Sequence, residues 1–94
     1  ALEGVYFDIA FLGANGLSLE CGATIPSLEE ADTAAEVVRR ARRVVLVVDH
    51  TKLGVVTHGR IADLCNIHLI ITDSLADVTL LKAAQEFGVK VILT

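Results

Sequence analysis

The stretch VVLVVDHTKLG, residues 44–54, decides how this chain is read. Residues 44–48 are Val or Leu without interruption, a strand with no polar face. That pattern suits a central strand of a parallel sheet, because both faces of such a strand are covered. The run then ends in Asp49, His50, Thr51 and Lys52, and Gly54 closes the turn. In an open parallel sheet, ligands bind beyond the carboxyl ends of the strands, where the loops diverge. An apolar strand that stops in a dense polar cluster therefore reads as one that delivers side chains to a binding rim.

The flanking sequence supports a sheet of this kind. Residues 5–12 form an expected first strand, in which Val5, Phe7, Ile9 and Phe11 alternate with Tyr6, Asp8, Ala10 and Leu12. Both sets are largely apolar, so this strand too is expected to be covered on both faces. GANGLSLECG, residues 13–22, carries Gly13, Gly16 and Gly22 and reads as a loop. Ser27 then caps a helix in a capping box with Glu30, and Ala31, Ala34, Ala35, Val38 and Ala41 make its narrow apolar face. Arg39, Arg40, Arg42 and Arg43 crowd its expected last turn, where they offset the carbonyl end of the helix dipole and stay solvated.

Beyond the central run, residues 57–64 suggest a short helix and residues 67–72 a third strand ending at Asp73. Residues 75–87 follow as a second helix, with Val78, Leu81, Ala84 and Phe87 inward and Gly88 at its C-terminal cap. Residues 89–93 close the pattern as a fourth strand. Strands alternating with helices predict an α/β fold: three layers, with a mostly parallel sheet and flanking helices.

Composition narrows the function. The chain has 94 residues, 53% of them hydrophobic, with one Pro, so it is expected to be a single folded domain, residues 1–94. Few aromatic residues accompany that apolar content, which predicts surfaces covered by further chain or by partner subunits in a homo-oligomer. The start at Ala1, without Met, is what a fragment of a longer protein would show. A net charge of -4 argues against this segment gripping DNA or an anionic membrane, because such binding depends on Lys and Arg replacing counterions. No apolar run reaches the length of about 18 residues that spans a bilayer. Cys21 and Cys65 show no CxxC spacing and fit plain thiols in a reduced cytoplasmic protein. His50, His58 and His68 lack short-range ligand spacing, so neither a metal nor another cofactor is expected. Cys21 has no legible base to make it a nucleophile.

Three loops should thus converge on one rim: residues 13–16, residues 49–54 and Thr72-Asp73-Ser74. Their backbone amides at Gly13, Ala14 and Gly16, the Asn15 carboxamide, the hydroxyls of Thr24, Thr51 and Ser74, and the Lys52 ammonium suit a small phosphorylated, polyhydroxylated molecule. Plainer roles stand beside this one. Asp49 and Lys52 can form a surface ion pair, and Asn15-Gly16 can be a turn that needs positive φ. Gly13 and Gly22 can serve as backbone permissions, and Glu29 and Glu30 as first-turn helix charges.

In order and spacing, the blocks DIAFLGANGLSLECGAT, LEEA, VVLVVDHTKLG and IITDS resemble the C-terminal effector-sensing domain of the DeoR family of bacterial sugar-responsive transcriptional repressors. The resemblance implies a fold similar to ribose-5-phosphate isomerases and CoA transferases. It also implies a phosphorylated-sugar effector held around Gly13, Ala14, Asn15, Gly16, Gly22, Thr24, Asp49, Thr51 and Lys52. Operator DNA would be held only by an N-terminal winged helix-turn-helix outside this chain, and the effector domain would begin before Ala1 with a further strand and Gly-rich loop. Similar isomerases carry acidic residues where this chain has Leu12 and Asn15, neither of which can act as a base near neutral pH, so binding without turnover is expected. Relatives in the family usually have a Lys about where this chain has Ala34, and its loss here would remove a cation from the expected site. Two other readings remain open here: an isomerase-like enzyme, and an oligomerisation scaffold that has lost its ligand.

Overall fold

The computed structural model describes residues 3–94. Ala1, the expected start of the domain, lies with Leu2 outside the described residues. In chain order the elements are β1 (Phe7–Gly13), β2 (Gly16–Ser18), β3 (Gly22–Ile25), α1 (Leu28–Arg40), β4 (Ala41–Val47), β5 (Gly59–Ala62), β6 (Leu69–Thr72), α2 (Val78–Gln85) and β7 (Lys90–Leu93). Strands β1, β4, β6 and β7 pair in that order in a parallel sheet, and β2, β3 and β5 form a smaller antiparallel one. With the two helices this is the expected α/β architecture, consistent with a three-layer fold.

The order β1-β4-β6-β7 means that each crossover steps the same way across the sheet. Right-handed crossovers that all step one way lie on one face. The core follows that rule: Val44, Leu46, Val48 and Ile70 cluster with Ala31 and Val38 of α1, Ala84 of α2, and Leu17, Ala23 and Ile61 of the small sheet. On the other face the register sets Phe11 beside Val45 and Leu69, and Val47 beside Ile71 and Ile92. Phe11 is 65% exposed there, and Ile9, Val47 and Ile92 are exposed with it. The first strand is therefore not covered on both faces. An apolar sequence registers what a strand can bury, whereas the direction of the crossovers decides which face is buried.

Three local expectations are corrected. The stretch 13–22 is not all loop, because β2 and β3 form a hairpin with Gly16 opposite Thr24 and Ser18 opposite Gly22. Two of its glycines serve close packing: a Cβ on Gly16 would fall 2.2 Å from the Val55 carbonyl oxygen, and one on Gly22 2.1 Å from that of Ala62. Residues 57–64 are not a short helix either, since β5 pairs antiparallel with β3. Gly59 opens β5 where a Cβ would meet Ala31 of α1 at 2.4 Å, so backbone and helix touch directly. Finally, α1 runs straight into β4, which puts Ala41, Arg42 and Arg43 on the strand. Only Arg39 and Arg40 end the helix; both pair with Glu36, and Arg40 also lies over the Tyr6 ring at 5.9 Å.

Caps set the helix ends. The Ser27 hydroxyl accepts from the Glu30 amide at 3.2 Å, which is one half of the expected capping box; the reciprocal bond from the Ser27 amide to the Glu30 carboxylate is not formed. The second helix is shorter than residues 75–87 because Asp77 caps it, accepting from the Thr79 and Leu80 amides. Leu81 and Ala84 are buried as expected, whereas Val78 and Phe87 are exposed. Gly88, at φ +90, ends this segment in the left-handed region that glycine enters freely.

Candidate functional site

The rim is assembled by strand pairing. Gly13 at the end of β1 is the register partner of Val47 at the end of β4, so residues 14–15 and 48–49 leave the sheet side by side. The Val48 amide donates to Ile71 of β6 at 3.1 Å, which brings the Asp73 segment alongside. The chain beyond β4 then doubles past the hairpin: Leu53 forms a parallel bridge with Leu17, and the Gly54 amide donates to the Leu17 carbonyl at 2.7 Å. The Asn15 amide donates to Thr24 at 2.9 Å. Residues 13–16 and 49–54 thus occupy neighbouring positions at the carboxyl end of the parallel sheet.

Asp49 organises its own turn. It is the N-terminal cap of a 3-10 turn over His50–Lys52, and its carboxylate accepts from both the amide and the hydroxyl of Thr51. Those two Thr51 bonds hold the Asp49 carboxyl below its ordinary value, with smaller help from the Lys52 and His50 charges. The alternative reading of Asp49 and Lys52 as a surface ion pair is not met, because the pair is not formed. Lys52 is a half-buried residue and among the described residues has no salt-bridge partner, so its ammonium is uncommitted.

The other expected site residues divide by environment. Gly13, Asn15 and Thr51 are exposed, Ala14 is half-buried, and Gly16 is buried against Val55. Thr24 is only 2% exposed, and its hydroxyl accepts from the Thr57 amide at 3.0 Å, a bond that ties β3 to the start of β5. Gly22 has φ +70, and its packing on Ala62 gives it a structural task. Ala34 lines a cavity of ≈ 490 Å³ with Ser27, Glu29, Glu30 and Thr33 at the start of α1. A larger cavity of ≈ 580 Å³, lined by Arg39, Arg60, Asp63, Cys65 and His68 among others, takes in neither Asn15 nor Lys52. His68 is exposed, and its Nδ1 accepts from the Val44 amide at 3.0 Å. Among the described residues no three His, Cys, Asp or Glu side chains come together as a metal site.

Sequence reasoning missed the contact between His50 and Asp73. The Asp73 carboxylate accepts from the His50 amide at 2.8 Å, faces His50 Nδ1 at 3.0 Å, and accepts from the Leu75 amide at 2.9 Å. The His50 amide and ring, followed by the Leu75 amide, hold the Asp73 carboxyl below its ordinary value. A signal was present, because DH and TDS each follow an apolar run directly. That β4 and β6 are neighbours, however, is a property of the sheet.

Known proteins bear on this arrangement. Residues 1–74 match the family model described as the DeoR C terminal sensor domain. The chain is 38% identical over 91 residues to the HTH-type transcriptional regulator GlpR of Haloferax volcanii, covering 97% of this chain and 36% of that protein. It is 32% identical over 90 residues to the HTH-type transcriptional regulator GolR of Listeria innocua, covering 96% and 35%. It is 35% identical over 85 residues to the deoxyribose operon repressor of Escherichia coli, covering 90% and 34%. The chain therefore spans about a third of the length of these relatives.

Proposed function

The chain belongs to the DeoR C-terminal sensor domain family of sugar-related transcriptional regulators, and from that premise we propose that its rim binds a phosphorylated sugar whose occupancy shifts a repressor between DNA-bound and free forms. The observation that carries this reading is the uncommitted Lys52 ammonium on a capped turn beside the 13–16 loop. In the proposal Lys52 and the backbone amides of Gly13, Ala14 and Gly16 take the phosphate, while the side chains of Asn15, Asp49 and Thr51 take the hydroxyls. Gly22 and Thr24 contribute by holding the hairpin that carries Asn15. Operator DNA belongs to a helix-turn-helix elsewhere in the regulator, a division suggested by this segment's net charge of -4 and by the greater length of its HTH-type relatives.

The same loop favours binding over turnover. Leu12 cannot ionise, and the Asn15 carboxamide is no base near neutral pH.

Thermal shift of the intact regulator with glucose, fructose and ribose phosphates tests the proposal. At least one is expected to raise the melting temperature, and Lys52→Ala is expected to weaken that ligand by about tenfold or more, the scale of a lost charge-assisted contact. No stabilisation by any of them, or an unaltered response in Lys52→Ala, would sink it.

A further inference from the structure

We propose that Asp73 is the positioning residue of the rim: it holds the His50–Lys52 turn in a fixed pose from a neighbouring strand end. The inference deepens the effector reading and rests on it. The geometry is a crosslink between two loops. Asp73 follows β6, while the turn follows β4. The two are tied by the His50 amide and the His50 ring, both on Asp73 Oδ2, at 2.8 and 3.0 Å. The other oxygen, Oδ1, anchors the Asp73 loop to itself through the Leu75 amide at 2.9 Å. Oδ1 also lies 3.1 Å from His50 Nδ1, so both oxygens face the ring while Oδ1 alone holds the Leu75 amide.

The chemistry makes that tie directional. An ionised carboxylate only accepts, so the ring nitrogen facing it, Nδ1, carries the proton. In its neutral form the ring is thus a single tautomer with Nε2 unprotonated. The turn's internal bonds fix only its shape: Asp49 accepts from Thr51, and the Lys52 amide donates to the Asp49 carbonyl at 3.1 Å. The segments flanking the turn are tied by the Val48 amide to Ile71 and the Gly54 amide to Leu17, and the bonds to Asp73 are those that reach the turn itself from a neighbouring loop. Loops at a rim are the least restrained backbone of such a domain, and a cation on an unfixed turn loses affinity to the cost of ordering it. Lys52 has no ion pair of its own to hold it among the described residues, so its placement depends on the turn.

The test uses Asp73→Asn, which keeps the size of the side chain but turns one acceptor into a donor, in the intact protein well below its melting temperature. Three readouts separate positioning from simple loss of stability. Affinity for glucose, fructose and ribose phosphates and for inorganic phosphate is expected to fall by about tenfold or more, with the variant still folded. Nitrogen shifts of the His50 ring are expected to leave the single Nδ1-protonated form. Amide exchange of His50, Thr51 and Lys52 is expected to quicken, while that of buried β4 is unchanged. Wild-type affinity in Asp73→Asn, alongside loss in Lys52→Ala, would overturn the inference and leave the effector reading standing. If the wild-type protein binds none of these probes, the effector reading fails, and ring shifts and exchange decide the positioning role: altered values support it, and wild-type values overturn it.

Discussion

Thr72 is 3% exposed, and its hydroxyl has no hydrogen-bond partner among the described residues. A buried hydroxyl without a partner costs free energy that an apolar group of the same shape does not. Thr72→Val is therefore expected to stabilise the protein by about 1 kcal/mol, read as a rise in the urea midpoint at unchanged slope. The contrast with Thr24 is instructive, since that equally buried hydroxyl accepts from the Thr57 amide. Sequence gives both residues the same donor and acceptor inventory, and only the neighbouring backbone tells them apart. The same holds for Asp49 and Asp73, each an aspartate just past an apolar run. Asp49 turns back on its own turn and Asp73 reaches across to the next loop.

At the scale of elements, β4 reads directly from its sequence because it lies between β1 and β6 with both edges paired. Its two faces nevertheless differ. Leu46 is 1% exposed in the core cluster, whereas Phe11 on the neighbouring β1 faces away from that cluster and is 65% exposed. Leu46→Ala is expected to cost about 3 kcal/mol through lost burial and the cavity it leaves. Phe11→Ser is expected to change stability by about 0.5 kcal/mol or less. Denaturant titration of the two variants checks the assignment of faces, and a cost at Phe11 comparable to that at Leu46 would contradict it. Strands β2, β3 and β5 were the least legible elements, for a physical reason. They are three or four residues long, too short for a period to register, and their glycines look like turn residues until the backbones they pack against are known.

For the molecule as a whole, three carboxylates are held below their ordinary values: Asp49 by Thr51, Asp73 by His50, and Glu36 by Arg39 and Arg40. A group whose folded value is depressed binds its proton more readily when unfolded, so stability rises with pH in the range where the two states differ. Their contribution is complete above the unfolded carboxylate range of about 4 and is lost as pH falls through the lower folded values. The melting temperature is thus expected to fall as pH is lowered below about 4, with a shallower fall in Asp73→Asn. A melting temperature that does not change with pH in that range would contradict these pairings. By itself the sequence determined the central strand, the cap at Ser27, the parallel α/β class and the loops that carry Asn15, Asp49 and Lys52, because short-range periodicity and capping chemistry act over a few residues. Tertiary structure alone decided the small sheet, the open face bearing Phe11 and the tie between His50 and Asp73. Those depend on which strands become neighbours and on which side each crossover falls, contacts between residues far apart in the chain that no local pattern encodes.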